Sequence, residues 1–98
     1  MNKPINMTKD RAEEIAKGAH ASMSYIKSCE FDVRYNARSA GPALPHYIPT
    51  LVVHLEERLP GIRDAATHYH NGPDFIKEVE DFVAVRKGKT YAFGKTPQ

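Results

Sequence analysis

The hydrophobic period of the chain changes at Cys29, and that change constrains the fold more than any other feature. Upstream, Ala12, Ile15, Ala16, Ala19, Met23 and Ile26 recur at the offsets of one helical face. Downstream, Cys29, Phe31, Val33 and Tyr35 alternate strictly with Glu30, Asp32, Arg34 and Asn36, the pattern of a strand with one packed and one wet face. Together they predict a long N-terminal helix followed by a strand over 29–36, and so an α+β fold. The alternating charges point to an antiparallel sheet, because a parallel sheet covered on both faces reads as near-continuous apolar runs.

The helix is expected to open near Thr8 or Asp10, where Asp10 and Glu13 have the spacing of a capping box. It would run to Lys27 or Ser28, about 20 residues and roughly 30 Å. Its apolar face is small. Alanine at Ala12, Ala16 and Ala19 lets another backbone approach closely, so these three are candidate self-association residues in a homodimer or small homo-oligomer.

A strand cannot exist alone. Thr90-Tyr91-Ala92-Phe93 is the natural partner, a C-terminal strand near 89–93. Between the two, residues 37–49 show no period, and Pro42, Pro45 and Pro49 disfavour both a regular helix and a central strand. The segment is expected to be a loop longer than most, with Leu44, His46, Tyr47 and Ile48 as candidate contacts for another protein.

Two or three further helices are expected between 50 and 86. Residues 50–59 fit either type: β-branched residues favour a strand, and Leu55-Glu56-Glu57-Arg58-Leu59 favours the helix, which is preferred. Residues 62–70 read as a short helix ending at Asn71-Gly72. Pro73 then suits a first helical turn, and Phe75, Ile76, Val79, Phe82 and Val83 form an amphipathic stripe. The stripe either continues as a helix to Arg86-Lys87, stopping at Gly88, or gives way near Asp81 to a hairpin pairing Phe82–Arg86 with Lys89–Phe93.

At 98 residues the chain has room for one domain, 1–98, with 1–7 and 94–98 expected to fray. A 41% hydrophobic and 27% charged composition excludes a disordered chain and a membrane-embedded one. No run of apolar residues is long enough to span a bilayer, and the N-terminus lacks the apolar stretch of a secretory signal. The single cysteine, Cys29, cannot form an internal disulfide, so a reducing cytoplasm is expected.

The net charge of +2 is unevenly spread. Residues 1–11 carry three bases against one acid, and the last thirteen carry Arg86, Lys87, Lys89 and Lys95 against none. The middle holds seven bases and eleven acids, so the parts sum as +2, +4 and −4. Arg86, Lys87 and Lys89 beside Tyr91 are the residue types of a single-strand nucleic-acid surface, with phosphates on the cations and bases on the ring.

Chemical motifs are sparse. Gly88-Lys89-Thr90 resembles the end of a phosphate loop, but the earlier glycine position is Val83 and only eight residues follow Thr90, where the motif expects a helix. Arg38-Ser39-Ala40-Gly41 lacks the first glycine and the helix of a nucleophile elbow. Among five histidines, His54, His68 and His70 with Asp74 could form a metal site only if the turn near Asn71 brought them together. The expected function is therefore a non-enzymatic protein–protein interaction or regulatory and assembly domain, self-association included, with no cofactor and no membrane. Nucleic-acid binding is the first alternative, and a small metal-dependent enzyme the second.

Overall fold

Thr8 opens the first helix: its hydroxyl accepts from the Arg11 backbone N–H at 3.0 Å, an N-cap bond that satisfies one orphan donor of the first turn. In the computed structural model, which describes residues 7–35 and 44–91, the helix α1 then runs over Lys9–Tyr35 without a break. It spans about 40 Å. The order of elements is α1, α2 (Leu44–Glu57), α3 (Leu59–Ala66) and α4 (Gly72–Arg86).

The α+β expectation is overturned: among the described residues there are four helices and no strand. Residues 29–35 belong to α1 because the alternation there hides a helical series. Cys29 and Val33 follow Ile26 at offsets of three and seven, and all three are buried with Ala12, Ala19 and Met23. Phe31 and Tyr35, their supposed companions on a strand face, turn outward. A helix pairs its own backbone groups, whereas a lone strand would leave them unpaired. The C-terminal strand near 89–93 is not formed either: Lys89, Thr90 and Tyr91 have no regular structure, and 92–93 lie outside the described residues.

The expected loop over 37–49 is also corrected, since α2 begins at Leu44, and 36–43 lie outside the described residues. Pro45 occupies the first turn, where its missing N–H costs nothing. Pro49 sits inside the helix and forgoes a single bond, to the carbonyl of Pro45. Ile48, Val52 and Leu55 bury the inner face. Helix is thus the state of 50–57, and Arg58 alone turns α2 into α3, its N–H bonding Leu55 O at 3.0 Å. The expected helix over 62–70 begins earlier and ends sooner, at Ala66, with 67–71 in turns.

The stripe after Pro73 continues as one helix to Arg86, which excludes the hairpin over 82–93. Gly72 begins α4 where it crosses the end of α3, so close that an added Cβ would sit 1.9 Å from the Ala66 carbonyl oxygen. Only glycine fits. At the other end Gly88 takes φ 79°, the left-handed conformation that terminates a helix.

α1 packs chiefly on α2 and α3, and α4 closes the other side. Ile26, Ile48, Leu55, Ile62 and Val79 are the largest fully buried side chains, and burying each such side chain contributes about 1.5–3 kcal/mol. No helix among the described residues is long and apolar enough to cross a membrane.

Candidate functional site

The alanine face of α1 is consumed inside the chain. Ala12 and Ala19 are buried, and Ala16 is half-buried against the core. Ala12 and Ala19 are thus spent on the chain's own core, while Ala16 stays partly exposed.

The basic C-terminal set is largely occupied as well. Arg86 donates to both Glu30 oxygens, Nε at 2.9 Å and Nη2 at 3.1 Å. Its guanidinium also stacks over Phe82, 3.7 Å from the ring centre. Lys87 pairs with Glu56 at 2.7 Å. The Tyr91 hydroxyl donates to Glu30, and Lys89 lies 5.3 Å from the Tyr91 ring centre. Burial tends to raise the Glu30 carboxyl, but the bonds from Arg86 and Tyr91 and the charges of Arg86 and Lys89 prevail and hold it below the carboxylate range. Burial, then the bond to Glu30 and its charge, push the Tyr91 phenol far above its usual range.

The histidine set does not converge. His54 lies on α2 at a groove, His68 and His70 stand exposed in the α3–α4 turn, and Asp74 is in the first turn of α4. Among the described residues, no group of three His, Cys, Asp or Glu is placed to hold a metal ion. His20 instead leans on Phe75, ring centres 4.9 Å apart. Ser39 lies outside the described residues.

Of the loop set, Ile48 is core, whereas His46 and Tyr47 are exposed on the first turns of α2. Leu44 starts that helix. Tyr47 lies near Tyr25 of α1, and the two rings are 48% and 53% exposed. Tyr25 borders an open groove of about 480 Å³ between α1 and α2, with Ile26 and Leu51 in its floor and Ser22, His54, Glu57 and Arg58 around it. Arg58 donates to the Ser22 hydroxyl across the groove.

Comparison with protein families, characterised proteins and solved structures finds no match to this chain.

Beneath Tyr25 lies Cys29, buried and free. Burial, with the nearby carboxylates of Asp32 and Glu30, raises its thiol despite the polar contact with Tyr25, so the sulfur stays protonated. Once the thiol ionises in alkali, its charge, and then its contact with the ring, raise the Tyr25 phenol in turn. The groove thus brings together the Tyr25 phenol, His54, the Glu57 carboxylate and the Arg58 guanidinium, with the Cys29 thiol buried close by. Tyr25, Ser22 and Arg58 were not candidates from the sequence. The signal was the helical register, which sets Ser22, Tyr25 and Cys29 along one flank once α1 is known to continue past Ser28.

Proposed function

We propose that the protein is a non-enzymatic interaction module that receives a segment of another protein in the groove between α1 and α2. The observation that carries this reading is Tyr25, half-exposed on the rim of a groove floored by Ile26 and Leu51, with Tyr47 exposed on α2 in its neighbourhood. Tyrosine and arginine are the residues that most often anchor protein interfaces, since they bury large area with few rotamers to freeze. Arg58, pinned by Ser22, supplies an oriented charge at one end. Two more large rings, Phe31 and Tyr35, stand exposed on another side of α1. A free, buried Cys29 fits a reducing compartment, and we place the protein in the cytoplasm on that ground.

Affinity capture from the native lysate, with wild type, Tyr25→Ser/Tyr47→Ser and Val85→Ser compared, tests the assignment. Val85 is an exposed apolar residue on α4 and serves as the control. Partners held by wild type and Val85→Ser but lost by the tyrosine variant support the groove. Identical partners for all three, with unchanged circular dichroism, contradict it.

A further inference from the structure

We infer that the outer face of α1 is a binding track for single-stranded nucleic acid, a second surface distinct from the α1/α2 groove. Opposite the buried stripe, an arc of about 100° carries Lys17, Ser24, Lys27, Phe31, Arg34 and Tyr35, all of them exposed. The track is about 27 Å long.

From Lys17 to Tyr35 its charge has one sign, and Glu13 stands one turn before it. Beyond Lys17 the carboxylates of α1 are Glu30 and Asp32. Glu30 is engaged by Arg86 on the inner side, and Asp32 stands beside Cys29, about 100° around the helix from Phe31. Among the described residues, no carboxylate is within ion-pair distance of Lys17, Lys27 or Arg34. The three cations keep their charge for an outside partner.

The rings supply the second requirement. Phe31 and Tyr35 are 57% and 63% exposed although their centres are only 4.7 Å apart, inclined at 51°. Arg34 holds its guanidinium 5.8 Å from the Tyr35 ring centre. Adjacent exposed rings flanked by unpaired cations match how single strands are held without sequence readout: phosphates on the charges, bases stacked on the π-faces. In the C-terminal set suggested by the sequence, Arg86 and Lys87 are paired and Tyr91 donates to Glu30, which leaves Lys89 alone of those three cations without an ion pair among the described residues.

Fluorescence anisotropy with labelled oligo(dT), oligo(rU) and a DNA duplex, at low and physiological salt, tests the track. Both single strands should bind more tightly than the duplex, with a log–log salt slope near −2, about −0.7 for each of three phosphate contacts. Lys27→Gln/Arg34→Gln should flatten that slope by about 1.4. Phe31→Ala/Tyr35→Ala should weaken binding about tenfold or more and leave the slope unchanged. Lys87→Gln/Lys89→Gln should bind as wild type does. Failure to bind at low salt overturns the inference, as does equal affinity for the duplex or indifference to the ring substitutions. Displacement by polyglutamate as effective as by unlabelled oligo(dT) would assign the face to an acidic protein instead. None of these outcomes bears on Tyr25 and Tyr47, so the groove reading stands or falls separately.

Discussion

Arg86 of α4 grips Glu30 of α1 in a two-point ion pair, 2.9 and 3.1 Å, largely shielded from solvent. The planar guanidinium matches the carboxylate with two parallel bonds, a geometry lysine cannot reproduce. Tyr91 adds a third donor to the same carboxylate, which ties the chain after Gly88 back onto α1. Glu30→Gln should therefore lower the unfolding free energy by about 1–3 kcal/mol, because Arg86 is left without its counter-charge. Arg86→Lys should cost nearly as much. Urea denaturation of the two variants checks both values, and a loss indistinguishable from zero would mean that water screens the pair.

The same carboxylate gives the protein an acid limb. Its folded pKa lies below the ordinary 4.5, so the stabilisation is complete above that value and is lost as pH falls through the folded one. Wild type and Glu30→Gln should differ at neutral pH and converge in acid. For Tyr91 the sign is reversed: its raised pKa means that stability is present below the ordinary 10.0 and declines as pH rises beyond it. Ultraviolet titration should show one phenol ionising after the rest, absent in Tyr91→Phe.

Two glycines should respond in opposite directions. Gly72→Ala drives a methyl into the Ala66 carbonyl, and separating α3 from α4 should cost more than about 2 kcal/mol. Gly18, in the interior of α1, has open space around the same position, so Gly18→Ala should stabilise by about 0.5–1 kcal/mol through helix propensity. Thermal denaturation of both variants decides the matter.

Tyr69 places its hydroxyl out of solvent with no partner among the described residues. Removing an unsatisfied polar group while keeping the ring relieves a desolvation cost. Tyr69→Phe should melt at a higher temperature than wild type. A lower melting point would show that the hydroxyl is bonded.

Much of the helical skeleton is legible in the sequence: the stripes from Ala12 to Ile26 and from Phe75 to Val83 appear where periodicity places them, and the helix preferred over a strand for 50–59 is formed as far as Glu57. The segment 29–35 misleads because Cys29 and Val33 satisfy period 2 and period 3.6 equally, and β-branched and aromatic neighbours tip a local reading toward strand. Position in the helix settles it, through Ile26. Pro45 and Pro49 mislead differently, since a proline within the first turns forgoes little hydrogen bonding. Tertiary pairing is not legible at all: nothing local announces that Arg86 meets Glu30 across 56 residues, and that contact is what takes Arg86 out of the basic set.

Continuity of α1 through Tyr35 underlies both the outer track and the flank that carries Tyr25. Urea denaturation of Phe31→Ala/Tyr35→Ala measures it most directly. With both rings in solvent, the unfolding free energy should stay within about 1 kcal/mol of wild type, since a lost ring–ring contact is offset by the better helix propensity of alanine. Were the two rings packed on one strand face, each truncation would cost about 3–5 kcal/mol. A double variant weakened by that much would contradict the account.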